Sequence, residues 1–249
     1  MPTRVRLLVV GGVVVLAIAA LVAGYLLTLP APLKVTGSQA NRPVPDITLT
    51  DQSGSPFVLS DLHGKVVVIY PFLTDCHELC PLTTAAFIQM QEAITAAGLQ
   101  DRVALLEVTV DPARDTPARL AAYAKLTSAD WTMLTGSADN IAAFWKFFGV
   151  FSEQTPVGSP APIDWYTNQP ETYDVTHTPA LIFLDARGHE RVVVVGTAQI
   201  AASAMPSQLE AMLNATGQDN LAHPSEPWTV QQALDNVSIL LGRPRIAAP

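Results

Sequence analysis

Cysteine is almost absent: Cys76 and Cys80 are the only two thiols in 249 residues. A single pair excludes a disulfide-rich scaffold, and no thiol near the N-terminus is available to carry a lipid. Closing so short a loop removes little unfolded-state entropy, so the pair is a poor structural staple. The roughly 200 residues that follow the N-terminal segment bury a sufficient core without one. Basic charge is scarce too, with 14 Lys and Arg against 22 Asp and Glu, and a net charge of −8. Without Lys/Arg clusters, neither nucleic acid nor an anionic lipid surface is expected as a partner. The two thiols therefore read as functional.

Charge is also missing from Leu7 to Leu29, a continuous run of mostly Leu, Val, Ala, Ile and Gly. At 1.5 Å per residue it is long enough to cross a hydrocarbon core of about 30 Å. Arg4 and Arg6 precede it, so the positive-inside rule places residues 1–6 in the cytoplasm and the main domain outside. The expectation is a single-pass anchor (7–29) in the cell membrane, with a late-cleaved signal peptide as the alternative. A polar linker (30–45) follows, then a domain over 46–216 and a C-terminal extension over 217–249. Outside the cytoplasm, unprotected thiol pairs tend to oxidise.

The domain alternates strand and helix patterns. Ile47–Leu49 and Phe57–Leu59 flank Gln52-Ser53-Gly54 as a hairpin. Val66–Tyr70 is a continuous apolar run of the kind that fills a buried central strand. Leu82–Ala97 puts Phe87, Met90 and Ile94 on one helical face, where they read as core. Val103–Val110 is a second buried strand. Thr116–Leu126 and Ala138–Phe148 read as helices, the latter capped by Ser137. Leu181–Asp185 and Val192–Val195 form a closing hairpin, and Pro206–Leu213 a final core helix. This order predicts a three-layer α/β domain.

Cys76 and Cys80 stand where the first long strand meets a helix. If Cys80 opens that helix, positions i and i+4 share a face and both sulfurs point at one atom. Two soft thiolates there suit Cu(I), Zn(II) or a redox disulfide.

A cysteine pair at the end of the first long strand resembles the thioredoxin superfamily, and finer features resemble the Sco (SenC) family of copper chaperones. These are Phe57-Val58-Leu59-Ser60-Asp61-Leu62-His63-Gly64-Lys65-Val66, the CxxxCP of Cys76–Pro81, and Val110-Asp111-Pro112-Ala113-Arg114-Asp115-Thr116-Pro117. Phe144-Trp145-Lys146-Phe147-Phe148-Gly149 and Val175-Thr176-His177-Thr178 complete the set, which spans roughly residues 42–215. The resemblance implies a thioredoxin-like three-layer α/β/α fold. It also implies one copper ion per monomer, Cu(I) or Cu(II), held by Cys76, Cys80 and His177. The implied client is the dinuclear copper site of cytochrome c oxidase subunit II, with a thiol reductant or copper donor upstream. The alternative is a thiol-disulfide oxidoreductase that uses Cys76 and Cys80 to reduce the client's cysteines. A peroxidase would need an activating arginine and threonine that the sequence does not supply.

Thr176 stands where many Sco proteins have an acidic residue, and Pro179 where thioredoxins keep a cis-proline. His177 has a bland alternative as a polar loop residue. His77 reads as an exposed loop residue, with a fourth-ligand role or a thiol-tuning role as alternatives. Asp75 and Glu78 either tune charge at the site or form a solvated face. Asp111, Arg114 and Asp115 read as turn and helix-start residues, with Arg114 paired to a carboxylate. His63, His189 and His223 receive no role. Ser152–Glu171, with Trp165 and Tyr166, is either a docking loop or a packed insertion. Trp228–Leu241 reads as an amphipathic helix through Val230, Leu234, Val237 and Leu241.

Overall fold

Seven consecutive residues, Val66–Phe72, are buried without exception, so both faces of the strand they form are covered. The computed structural model describes residues 2, 16, 18–22 and 33–249. Among these, no helix is long and apolar enough to cross a membrane. Residues 16 and 18–22 are helical, and the remainder of the expected 7–29 anchor lies outside the described residues. Lys34–Pro249 forms one unit and Met1–Leu33 another.

The larger unit begins with β1 (Ser38–Pro43), β2 (Leu49–Asp51), β3 (Pro56–Phe57) and β4 (Val66–Phe72). Then come α1 (Cys80–Ala96), β5 (Val103–Thr109), α2 (Pro117–Thr127), β6 (Thr132–Thr135) and α3 (Ala138–Phe148). The ribbon β7 (Ser152–Thr155) and β8 (Asp174–His177) leads into β9 (Ala180–Leu184) and β10 (His189–Val195). Last are β11 (Ala198–Gln199), α4 (Ser207–Glu210), α5 (Ala215–Ala222), β12 (Trp228–Thr229) and α6 (Val230–Leu240).

The main sheet has eight strands in the order β1-β10-β9-β4-β5-β6-β2-β3. Strands β4, β5 and β6 run parallel, and α1 and α2 are their crossovers. Strand β9 is antiparallel to β4, with Ile69 opposite Ile182. Phe87, Met90 and Ile94 are buried on α1 as their spacing requires. Thr116 and Ser137 cap α2 and α3, each accepting a hydrogen bond from the backbone three residues on.

Two expectations need correction, and two points left open are decided. Ser38–Pro43, inside the stretch read as linker, pairs along β10 as an edge strand. Its polar, mostly exposed side chains hide the strand from a hydropathy reading. Pro206–Leu213 is not a long helix: only Ser207–Glu210 is helical, after Pro206 in extended conformation. The terminal core helix is α6, the amphipathic helix expected over Trp228–Leu241. Its Val230, Leu234 and Val237 are buried, and it packs against α1. Finally, Thr178–Pro179 is trans; the cis bond among the described residues is Ser159–Pro160.

Candidate metal centre

Strand β4 ends at Phe72, and a short loop carries the chain to α1 with Cys76 inside it and Cys80 as the first helical residue. The two cysteines therefore do not share a helix face. The loop folds back instead, so that the Cys80 backbone N–H donates to Cys76 Sγ at 3.3 Å. That donor belongs to the first turn of α1, whose partial positive charge favours a thiolate. Both cysteines are free and buried.

His177 is the last residue of β8, paired with Ser152 across the small ribbon. Its Nε2 lies 3.5 Å from Cys80 Sγ, and its Nδ1 faces the Thr178 carbonyl at 3.2 Å. A hydrogen on Nδ1 bonded to that carbonyl leaves the Nε2 lone pair for a ligand. Tyr70 sets an aromatic edge against the imidazole, with centroids 6.2 Å apart. One ligand atom from each of Cys76, Cys80 and His177 falls within 4.8 Å of the others. Ligands held at about 2.3 Å (sulfur) and about 2.0 Å (nitrogen) in a tetrahedral arrangement lie about 3.5 Å apart. The donors present fit a soft metal ion. Cys76, Asp174 and His177 line a shallow cavity beside this cluster.

The thiols are unequal. A hydrogen bond from Cys80, followed by the His177 imidazole, holds Cys76 well below the usual thiol range. Burial, then the hydrogen bond with Cys76 and the charge there, pushes Cys80 well above it. The surroundings thus favour the thiolate at Cys76 over Cys80.

His77 is neither exposed nor free. Its Nδ1 meets the Met212 carbonyl at 2.9 Å and its Nε2 meets Glu171 Oε1 at 2.5 Å. The bond to Glu171 is the main cause that raises its pKa to about 9, and both ring nitrogens are engaged by protein acceptors rather than turned to the sulfurs. Asp75 is fully buried, which overturns the solvated-face reading. Its carboxylate lies 3.2 Å from both Arg114 Nη1 and Arg119 Nη2, while burial first and Glu171 second raise its pKa to about 6. Asp75, His77 and Glu171 are clustered closely enough to suggest a second cation site. The two guanidinium groups and the imidazolium already neutralise it.

The rest of the loop is tied down as well. Thr74 Oγ1 donates to Asp115 at 2.6 Å, and Trp165 Nε1 donates to the Thr74 carbonyl at 2.8 Å. Trp165 thereby packs the middle of Ser152–Glu171 against the cysteine loop, while Ser152–Thr155 is strand β7 and Tyr166 stays exposed. Arg114 pairs with Asp111, as the sequence suggested, and stacks over Tyr173 at 4.2 Å. Sequence reasoning gave no role to Tyr70, Glu171 or Arg119. Nothing in their local patterns distinguishes them, because their partners are 45 to 107 positions away or lie on other elements.

The SCO1/SenC family model matches residues 35–214. This chain belongs to the SCO1/SenC family. It is 29% identical over 143 residues to the mitochondrial SCO2 homologue of Bos taurus, covering 57% of this chain and 50% of that protein. It is 30% identical over 141 residues to the mitochondrial SCO1 homologue of Mus musculus, covering 57% and 46%. The chain thus spans about half the length of the curated relatives it matches. Apo Sco1 of Thermus thermophilus superposes with a TM-score of 0.53 at 26% identity, covering 76% of this chain and 97% of that one. Copper-bound ScoI of Bradyrhizobium japonicum superposes with a TM-score of 0.52 at 23% identity, covering 69% and 99%. The thioredoxin-like α/β fold is shared with both.

Proposed function

We propose that this SCO1/SenC protein binds one copper ion through Cys76, Cys80 and His177 and delivers it to subunit II of cytochrome c oxidase, held at the cell membrane by residues 7–29. The observation that carries the reading is the convergence of two buried sulfurs and one imidazole nitrogen within 4.8 Å. Soft thiolates favour Cu(I), and an imidazole also accommodates Cu(II). The ScoI of Bradyrhizobium japonicum holds copper in the same fold. One thiol sits in a braced loop, the other opens α1, and the imidazole is on a separate two-stranded ribbon, so the ion can leave by exchange of the ribbon ligand. The client and the membrane site rest on the family resemblance and on the charge-free N-terminal run.

A thiol-disulfide reductase is the second reading, favoured by the split thiols: a low-pKa cysteine beside a buried partner is suited to exchange. Replacement of His177 by alanine in the native host separates the two. Copper delivery predicts that oxidase assembly fails at low copper and recovers, at least in part, when copper is added, while neither cysteine variant is rescued. Normal assembly at every copper level, with external thiol rescuing the cysteine variants, would establish the reductase instead.

A further inference from the structure

His177 and the cysteine pair approach each other from different parts of the fold, and a separate set of contacts joins the segments that carry them. Glu171, six positions before His177, is buried. Its Oε1 accepts from His77 Nε2 at 2.5 Å, and its Oε2 lies 3.6 Å from Arg114 Nη1. His77 stands between the two cysteines. Arg114 reaches from the loop before α2 to the Tyr173 carbonyl at 3.0 Å and to Asp75 Oδ2 at 3.2 Å, the residue next to Cys76. Tyr173 in turn donates its hydroxyl to Asp111 at 3.0 Å. The Glu171–Tyr173 stretch is thus gripped from the cysteine loop on one side and from Asp111 and Arg114 on the other. Strand β8 begins one residue later. It belongs to a ribbon hydrogen-bonded apart from the main sheet.

We propose that Glu171, held by His77 and Arg114, is a positioning residue: it docks the ribbon carrying His177 onto the cysteine loop and so sets the approach of the imidazole to the sulfurs. This rests on the copper-site reading. The residue between the two cysteines then acts as a strut rather than a ligand, with one nitrogen on Glu171 and the other on Met212.

A double-mutant cycle tests it, because a residue that acts only through His177 has nothing left to act on once His177 is gone. Cu(I) affinity is measured anaerobically against a chromophoric chelator for the reduced full-length chain and for Glu171→Ala, His177→Ala and the double variant. Loss of a ligand-orienting partner typically costs about 10- to 100-fold in metal affinity. Glu171→Ala is expected to weaken Cu(I) by about tenfold or more, and the double variant to bind no more weakly than His177→Ala alone. The imidazole nitrogen coupling in the Cu(II) resonance spectrum should weaken in Glu171→Ala. Glu171→Gln, whose amide oxygen still accepts from His77, should stay closer to wild type on both measures. If Glu171→Ala does not fold, His77→Ala severs the same bond from the other side and enters the cycle in its place. Wild-type affinity in Glu171→Ala beside a weakened His177→Ala overturns the strut alone, as do fully additive losses. His177→Ala indistinguishable from wild type overturns the ligand set and the strut together.

Discussion

Cys80 Sγ and His177 Nε2 lie 3.5 Å apart although 97 positions separate them in sequence. Strand β9 accounts for the proximity: it pairs with β4, so the chain just before β9 arrives beside the chain just after β4. The candidate site is a consequence of sheet order.

His177→Ala should remove the Cu(II)-thiolate absorption of the copper-loaded protein and leave the fold intact. The imidazole is partly exposed at the end of a ribbon strand, so no core packing is lost. Visible absorption read beside far-ultraviolet circular dichroism checks both halves. An unchanged absorption band would remove His177 from the ligand set.

Gly217→Ala should destabilise the protein. A Cβ at this position in α5 would run into the His77 carbonyl oxygen, with Leu213 Cδ2 at 2.9 Å. Asn214 N–H donates to that same carbonyl at 3.0 Å. Alanine gains about 1 kcal/mol over glycine in a helix, whereas overpacking against backbone costs about 1–3 kcal/mol. The net effect is a loss, read as a lower urea midpoint at unchanged slope. A raised midpoint would show that helix propensity outweighs the contact.

Much of this was legible in the residues. The apolar run Val66–Tyr70, the Phe87–Met90–Ile94 face and the Ser137 cap have local causes, and each appears where its pattern put it. The CxxxCP spacing marked the thiols without the structure. The geometry by which they meet was not legible, because Cys76 lies in a loop whose shape is set by Asp115, Trp165 and residues 212–217. His77 departs from its expected exposed state for the same reason. Its partners, Glu171 and Met212, are 94 and 135 positions away, and a histidine beside a glutamate in a short loop looks solvated until they are in place. Strand β6 escaped notice because four residues, Thr132–Thr135, carry too little pattern to detect.

Glu107 gives the metal-free protein a pH signature. It is fully buried on β5 beside Tyr70, accepts from Thr84 and Trp131 Nε1, and burial raises its pKa to about 7 from 4.5. Between those values the folded state holds a proton that the unfolded state has released. Stability contributed by the neutral acid is therefore present below about pH 4.5 and is lost as pH rises through about 7. The change is on the order of 3 kcal/mol. Glu107→Gln should flatten this slope, with its amide oxygen accepting from Trp131. Denaturation at several pH values between 4 and 8 checks it, and an equally steep slope in the variant would place the proton uptake elsewhere.

The central claim is that Cys76, Cys80 and His177 form one copper site, and anaerobic titration of the reduced protein with Cu(I) tests it most directly. The account predicts an end point of one ion per chain, with tight binding lost in both Cys76→Ala and Cys80→Ala, because one thiolate and an imidazole leave the ion under-coordinated. Tight one-to-one binding that survives either cysteine replacement would contradict it.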